Sequence, residues 1–425
     1  MTDYKLQNFA TGRVFEDTGW LLTDPDYDRP SLIRSIYTKK KLDLKDSSLG
    51  IYKFADWLPV EKFLDNASVT ITYKSEKLAK RLGIENLFIS FSGYWPEIGA
   101  NMTTCSFKET EAYTVCARLP KDGVRKLVVA SAGNTARAFA KVCSENNIPL
   151  LLVVPFDNRD AMWFSEKLNS CVKLICTPSG SDYYDAIDLS ARICKSYEFL
   201  EEGGAKNVAR RDGMGTTVLS AVSEIGKIPD YYFQAIGSGT GTIAAWEANL
   251  RLIEDGRFGT NKMVLMPSQN IPFIPMHIAW EAGSRNIVFK DENLAREDAL
   301  KIGAKVLSNR RPPYSVPGGL FDALSDTSGY IEIADNSEME SACNLFEQTE
   351  GIDINPAAGI ALAGMIKSIN KGKTDKSGIY MLNVTGGGEK RIKSEKEMIY
   401  HLPDLIIDNS TPDDVVINMA RSLFL

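Results

Sequence analysis

The amino-acid sequence predicts an α/β protein whose twisted sheets are mostly parallel, and two observations support this fold class. From about residue 85 onward, apolar segments of strand length alternate with segments of helical periodicity. Several of the apolar segments also run directly into loops of glycine and small hydroxyl residues. Strands that alternate with helices are typical of parallel sheets, which bind ligands at the carboxyl ends of their strands.

Individual elements follow from these patterns. Short apolar runs such as NLFISFSG and PLLLVVP have the length and composition of buried strands. In two places a strand is followed by a glycine-containing loop and then by a helical pattern. The predicted elements, in chain order, are strand 86–93, strand–loop–helix 126–147, strands 149–155 and 171–178, strand–loop–helix 230–252 and strand 378–390.

Composition and charge exclude several classes of protein. The 425 residues carry a formal net charge of -6, which argues against a nucleic-acid partner because phosphate backbones select basic surfaces. No apolar run reaches the ~20 residues that a membrane span needs. The first fifteen residues lack a basic start followed by an apolar core, so we expect a cytoplasmic protein with no secretory signal.

The sequence lacks the residue patterns that a metal site or a disulfide framework would need. The chain has seven cysteines, an odd number, and none of them forms a C-x-x-C pair. There are only two histidines, His277 and His401. We therefore expect no metal site and no disulfide framework. Catalysis by a lysine with a cofactor remains open.

A glycine loop between a predicted strand and helix indicates an anion site. Its glycines let backbone N–H groups approach a ligand, its hydroxyls add donors, and the helix N-terminus favours negative charge. It matches neither G-x-G-x-x-G nor the nucleotide P-loop, and a tight turn that only packs the helix on the strand is the alternative. The loop consists of Gly237, Ser238, Gly239, Thr240, Gly241 and Thr242.

Three further segments could hold ligands. The run SAGNT (131–135) opens a helix after a strand and could bind a carboxylate, although an ordinary helix N-cap is the alternative. Thr385, in NVTGGG, follows a strand and could hydrogen-bond a ring nitrogen, or it could lie in a simple turn. Basic residues in 202–217 suit an anion such as phosphate or sulfonate, although an exposed basic loop is equally consistent.

The other segments indicate a function for Lys108. It lies at the start of a predicted helix after small and polar residues, in TTCSFKETEAYTV (103–115). Together the segments supply an amine for a Schiff base, a carboxylate cradle, a phosphate cup and a partner for a pyridine nitrogen. Pyridoxal 5'-phosphate requires this set of groups from a protein.

With these motifs in order, the sequence resembles the fold-type II pyridoxal-phosphate enzymes (tryptophan synthase β-like), the group of threonine synthase and cysteine synthase. Longer strings, among them GGAKNVARRDGMGT and NRRPPYSVPGGLFDAL, resemble the cysteate synthases, which are relatives of threonine synthase. The resembling strings cover most of the span from about 70 to 390. Relatives often carry a cysteine-rich N-terminal ribbon, whereas residues 1–50 contain no cysteine, so any metal of that unit should be absent here.

The resemblance implies a role for each motif. Lys108 would hold the cofactor covalently, Asn134 would bond its 3-oxygen and Thr385 its ring nitrogen. The loop from Gly237 to Thr242 would hold its phosphate. The residues implied to bind substrate are Ser131, Ala132, Gly133 and Thr135 for the carboxylate, and Lys206, Asn207, Arg210 and Arg211 for other anionic groups.

The resemblance also implies a reaction and an organisation. We expect a β-replacement that converts O-phospho-L-serine and sulfite into L-cysteate and phosphate, catalysed by a homodimer. A threonine synthase acting on O-phosphohomoserine, a cysteine synthase, a serine or threonine deaminase and a non-catalytic amino-acid sensor are the alternatives. The expected units are an N-terminal extension (1–50), a large cofactor-binding domain (51–120 and 225–425) and a small α/β domain (121–224).

Overall fold

The computed structural model describes residues 2–120, 125–131, 133–289 and 291–425 and confirms the α/β fold. Each strand predicted from the sequence is present within two residues of its expected start. The strands in the described residues are β1 (Tyr4–Asn8), β2 (Val14–Phe15), β3 (Ile33–Tyr37), β4 (Ile71–Lys74), β5 (Asn86–Phe91), β6 (Tyr94–Trp95), β7 (Ala100–Asn101), β8 (Lys126–Ala130), β9 (Leu150–Pro155), β10 (Trp163–Phe164), β11 (Val172–Thr177), β12 (Phe199–Glu201), β13 (Tyr231–Ala235), β14 (Val264–Asn270), β15 (Glu332–Ala334), β16 (Ile379–Val384), β17 (Ile399–Tyr400) and β18 (Leu405–Ile406).

Helices separate most of the parallel strands along the chain. None of those in the described part of the chain is long and apolar enough to cross a membrane. These helices are α1 (Lys77–Leu82), α2 (Lys108–Arg118), α3 (Asn134–Glu145), α4 (Tyr183–Ile193), α5 (Val208–Ile225), α6 (Thr240–Asp255), α7 (Pro275–Glu281), α8 (Glu292–Lys301), α9 (Leu320–Asp326), α10 (Asn336–Glu350), α11 (Pro356–Asn370), α12 (Glu389–Glu395) and α13 (Asp413–Ser422).

Two sheets form the framework. The larger sheet has the strand order β15-β14-β13-β16-β5-β4, in which only β4 runs antiparallel to its neighbour. The smaller sheet has the order β12-β8-β9-β11-β18 and is parallel throughout. The central strand β9 is buried along its whole length, as expected for a parallel sheet with both faces covered.

The N-terminal residues form a small antiparallel sheet of their own, in the order β2-β1-β3. At the end of β3, the buried hydroxyl of Tyr37 donates a hydrogen bond of 2.7 Å to the carboxylate of Asp212 in α5. The extension is therefore fastened to the helix that also carries the basic residues of the sequence motif.

One segment lies on a different sheet from the one that the sequence suggests. Residues 225–425 are expected in the larger domain, yet β18 pairs with β11 of the smaller sheet, with Leu405 opposite Ile175. The C-terminal chain thus crosses back after the last strand of the larger sheet. A two-residue strand has no periodicity that could reveal this pairing, and the domain boundaries themselves stay a prediction.

Helices α2 and α5 approach closely because α5 has a glycine at the crossing point. A β-carbon added at Gly213 would overlap Thr114 Oγ1 and the carbonyl oxygen of Thr110, both on α2. Because Lys108 begins α2, this crossing fixes the position of the lysine relative to α5.

The close crossing generates a stability prediction. We expect Gly213→Ala to lower the free energy of unfolding by about 1–3 kcal/mol, because the added methyl group must push two packed helices apart. Gly215→Ala is the matched control, since its added β-carbon has its nearest neighbour, the carbonyl oxygen of Ala244, at 3.2 Å. Urea denaturation followed by circular dichroism measures both; equal effects of the two substitutions would contradict the close-packing account.

Candidate active site

Three strand ends and one helix start meet at a single cavity. Strand β8 of the smaller sheet leads into Ser131, and strands β13 and β16 of the larger sheet lead into the glycine loop and Thr385. Helix α2 adds Lys108 at its first residue. Of the residues predicted from the sequence, those lining the cavity are Lys108, Ser131, Gly133, Asn134, Thr135, Arg210, Gly237, Ser238, Gly239, Thr240, Gly241 and Thr385. Ala132 was also predicted and lies outside the described residues.

Lys108 presents a partly buried amine to this cavity. Its side chain is 20% exposed, its Nζ lies 3.2 Å from Oε2 of Glu111, and the amine sits 4.7 Å from the centre of the Phe107 ring. Burial lowers the pKa of the Lys108 amine, and the positive charge of Arg210 lowers it further, whereas Glu111 acts in the opposite direction. The amine is therefore deprotonated more readily than that of a solvated lysine.

The glycine loop ends at the N-terminus of α6. Gly239 has a φ of +78°, a left-handed conformation that favours glycine, and it directly precedes the first helical residue, Thr240. The hydroxyls of Ser238 and Thr240 lie 2.9 Å apart, so the cavity meets two hydroxyls and a helix N-terminus together. This arrangement suits a phosphate without requiring a basic side chain in the loop.

The segment 131–135 follows β8 and opens α3. The hydroxyl oxygen of Ser131 accepts a hydrogen bond of 3.0 Å from the backbone N–H of Gly133. The Oδ1 atom of Asn134 accepts a bond of 2.9 Å from Arg137, and the hydroxyl of Thr135 donates a bond of 3.1 Å to Glu111. Each polar side chain is thus held by a neighbour while it lines the cavity.

Thr385 connects the end of the larger sheet to the lysine segment. Its carbonyl oxygen accepts a hydrogen bond of 2.9 Å from the backbone N–H of Phe107, the residue before Lys108. The Thr385 residue lines the cavity together with the amide of Asn355. Lys108 is therefore fastened by backbone to the strand end that carries the hydroxyl.

Of the four residues predicted to bind anionic groups, only Arg210 lines the cavity. Arg210 lines the cavity, where its Nη1 lies 3.0 Å from Glu111 and its Nε donates a bond of 2.7 Å to Glu202. Two carboxylates therefore hold one guanidinium in place at the cavity wall.

The other three members of the cluster lie outside the cavity. Lys206 is exposed and lines a neighbouring cavity that also reaches Arg210. Asn207 caps α5, accepting a bond of 3.0 Å from the N–H of Ala209. Arg211 is fully buried on another face of α5, where its Nε lies 3.0 Å from Glu247. The side-chain donors of Asn207 and Arg211 are thus used within the protein, and their predicted contact with substrate stays a prediction.

Several cavity-wall residues were not found from the sequence. Tyr183 at the start of α4 and Asn355 both line the cavity, and burial raises the pKa of the Tyr183 hydroxyl. Lys305 and Asn309 come from a segment between α8 and α9 with no distinctive motif. Glu111 lies behind the wall, and its spacing of three residues from Lys108 is the one available signal, because residues i and i+3 share a helix face.

The residues present fit pyridoxal phosphate. An amine, an uncharged cup at a helix N-terminus, the Thr385 hydroxyl and the Asn134 amide all face one cavity. Thr242, the last residue of the predicted loop, does not line the cavity; it lies in the first turn of α6, where its hydroxyl oxygen is buried without a hydrogen-bond partner among the described residues. In that same part of the chain, no cluster of three or more His, Cys, Asp or Glu side chains could hold a metal ion.

Comparison with known proteins defines the class. Residues 67–386 match the family described as "Pyridoxal-phosphate dependent enzyme", and the chain belongs to this family. Its fold is similar to that of maize serine racemase, with a TM-score of 0.59 and 15% identity over 77% of this chain and 91% of the racemase. The expected cofactor and fold-type II architecture are thereby confirmed.

Relatives with higher sequence identity indicate a narrower group within this family. The chain is 47% identical to cysteate synthase of Methanosarcina acetivorans over 410 residues, which is 96% of this chain and 98% of that protein. It is 44% identical to cysteate synthase of Methanosarcina mazei over 411 residues, again 96% of this chain and 98% of the relative. The resemblance to the cysteate synthases seen in the sequence is confirmed over nearly the whole chain.

The assignment of Arg211 to the protein interior can be tested by substitution. We expect Arg211→Met to lower the free energy of unfolding by about 3–5 kcal/mol, because the buried carboxylate of Glu247 loses its hydrogen-bonded partner and keeps only Arg251, 3.9 Å away. The double variant Arg211→Met/Glu247→Leu removes that poorly compensated charge and should recover part of the loss. Denaturant titration measures both; a raised KM with unchanged stability would instead make Arg211 a substrate ligand.

Proposed function

We propose that this chain is a cysteate synthase, which replaces the phosphate of O-phospho-L-serine by sulfite to give L-cysteate and phosphate. Its similarity to cysteate synthases over 96% of the chain supports this proposal. In the overall change, the bond from Cβ to the phosphate oxygen breaks and a bond from Cβ to the sulfur of sulfite forms.

The charge of the cavity is the observation that carries the proposal. The basic side chains among the described residues of its wall are those of Lys108, Arg210 and Lys305, and none of those wall residues is an aspartate or a glutamate. Because Lys108 serves as anchor and base, Arg210 and Lys305 supply the lasting positive charge. Phosphoserine, sulfite and the departing phosphate are all anions. A cavity with only one sign of charge on its wall concentrates ligands of the opposite sign.

In our proposal the cofactor is held by the residues that line the strand ends. Lys108 would bind it covalently, the segment 237–242 would hold its phosphate, and Asn134 and Thr385 would bond its 3-oxygen and its ring nitrogen. When bound, pyridoxal phosphate acts as an electron sink, which allows a proton to leave Cα and a substituent to leave Cβ. Because a threonine hydroxyl carries no charge, it moderates this sink and favours reaction at Cβ.

Lys108 also moves the proton. Once the substrate's amino group has displaced Lys108 from the cofactor, the freed Nζ would take a proton from Cα before phosphate leaves and would return a proton to Cα after sulfite has added. A general base must be unprotonated at working pH, and burial of the Lys108 amine lowers its pKa toward that condition.

The substrate's anionic groups have separate partners. The Ser131 hydroxyl suits the carboxylate, because it accepts the N–H of Gly133 and keeps its own proton to donate. The backbone N–H of Thr135 in the first turn of α3 adds a donor, while the Thr135 hydroxyl stays on Glu111. Arg210 donates two of its five N–H groups to Glu202, and its Nη1 forms an ion pair with Glu111, so further N–H groups remain for a phosphate or sulfite oxygen.

A route for the small anions adjoins this site. A neighbouring cavity of about 740 Å³ shares Tyr183, Arg210 and Ser238 with the first, and Lys206 lies on its wall. We propose that Lys206 attracts incoming sulfite at this entrance and does not hold the substrate itself. We further propose that the enzyme is a homodimer, as the resemblance implies, and that it works in the cytoplasm.

A product assay tests the proposal. Purified protein loaded with pyridoxal phosphate should release phosphate from O-phosphoserine and form cysteate, detected by mass spectrometry, only when sulfite is present. Lys108→Ala should lower this rate by more than about 10³-fold, since it removes both the anchor and the base. Lys80→Ala, an exposed lysine on α1, is the matched control and should keep full activity.

Other products would each contradict the proposal in a recognisable way. Threonine and phosphate from O-phosphohomoserine would identify a threonine synthase. Cysteine formed from sulfide in preference to sulfite would identify a cysteine synthase, and keto acid with ammonia would identify a deaminase. An absence of turnover with every amino acid, despite bound cofactor, would support the sensor alternative.

A further inference from the structure

Glu111 is a buried carboxylate on which three parts of the site converge. It lies one turn after Lys108 in α2 and is fully buried. Its oxygens are 3.2 Å from Lys108 Nζ, 3.1 Å from the Thr135 hydroxyl and 3.0 Å from Arg210 Nη1. These partners come from α2, α3 and α5, so one carboxylate joins three elements behind the cavity wall.

The neighbouring carboxylate of Glu109 shows that burial alone does not produce this arrangement. Glu109 is equally buried in α2 but faces away from the cavity. It accepts bonds of 2.8 Å from the N–H and hydroxyl of Thr104 and one of 2.7 Å from Ser68, and Lys141 lies 3.4 Å away. Two carboxylates of the same helix therefore have separate partners, and only Glu111 contacts Lys108.

We propose that Glu111 is a positioning residue for the base: it stabilises the ammonium that Lys108 becomes on taking the substrate proton, and it holds Thr135 and Arg210 around that amine. The inference rests on the proposed role of Lys108 as the base. A base that is itself oriented by a third, charged group is a recurrent catalytic arrangement. Glu111 touches no ligand, so it acts only through its three partners.

The charges that face Lys108 explain why such a group is needed. Burial and the cation Arg210 both disfavour a positive charge on the amine, and Glu111 opposes them; Glu202 and the hydroxyl of Tyr183 are the remaining titratable groups around Arg210. With Lys108 protonated, two cations face the two carboxylates of Glu111 and Glu202. Without Glu111, a proton taken from the substrate would leave an ammonium beside a guanidinium in a poorly solvated cavity.

Replacing Glu111 by the isosteric glutamine tests the effect of its negative charge alone. Glu111→Gln can still accept a bond from Thr135, but it no longer favours a positive Lys108 nitrogen. We expect the pH midpoint at which the absorbance of the bound cofactor changes to fall by about 1 unit or more, because an opposite charge at this distance shifts a pKa by that amount. The rising limb of the pH dependence of kcat should move in the same direction, and kcat should fall more than KM rises.

Glu109→Gln is the matched control, since it changes a buried carboxylate of the same helix without touching Lys108. Its stability is expected to fall while its absorbance midpoint stays at the wild-type pH. An unchanged midpoint in Glu111→Gln, or an equal shift in Glu109→Gln, would overturn the proposal.

Glu111→Asp provides a second variant that retains the negative charge. Should Glu111→Gln fail to bind cofactor, Glu111→Asp withdraws the carboxylate by one methylene group and should shift the midpoint in the same direction by less; no shift would contradict the proposal. The absorbance titration requires only bound cofactor and no substrate. A failure of the cysteate assay and a failure of the Glu111 inference are therefore separate results.

Discussion

The burial of one primary amine among opposing charges is the constraint on which the rest of this structure depends. Lys108 can work as a base only if its amine loses a proton easily, and burial beside Arg210 provides that tendency. A cavity that only disfavoured charge could not retain the proton that the amine must carry between steps. Glu111 and Glu202 supply the compensating charge behind the wall, so the lining itself stays free of carboxylates in the part of the chain that the structure describes.

The fold brings the necessary groups to this amine from both sheets. Parallel strands end on the same edge, and the ends of β8, β13 and β16 bring Ser131, the glycine loop and Thr385 to one cavity. The backbone bond from Phe107 to Thr385 fixes the lysine segment to the larger sheet, and the crossing of α2 over Gly213 fixes it to α5. Close packing of these elements therefore determines how far the Lys108 Nζ lies from Ser131, from the glycine loop and from Thr385. A single loop motif could not fix those distances.

The sequence was informative where a residue's role follows from its local neighbours. Strand ends, the glycine loop and Lys108 could be identified because short-range patterns specify them. It could not separate Arg210 from Arg211, because adjacent helical residues point about 100° apart and only the packing of α5 decides which one faces the cavity. Likewise, the pairing of Leu405 with Ile175 joins residues more than two hundred positions apart, and neither segment carries a signal for the other.

The most direct test of the central claim asks which amine carries the cofactor. Borohydride reduces the carbon–nitrogen double bond between a lysine and an aldehyde, which makes the attachment permanent. After reduction of the cofactor-loaded protein and proteolysis, peptide mass spectrometry should find the added mass on Lys108. Attachment at Lys206 or Lys305, the other lysines on the walls of the two cavities, or no attachment at all, would contradict the account.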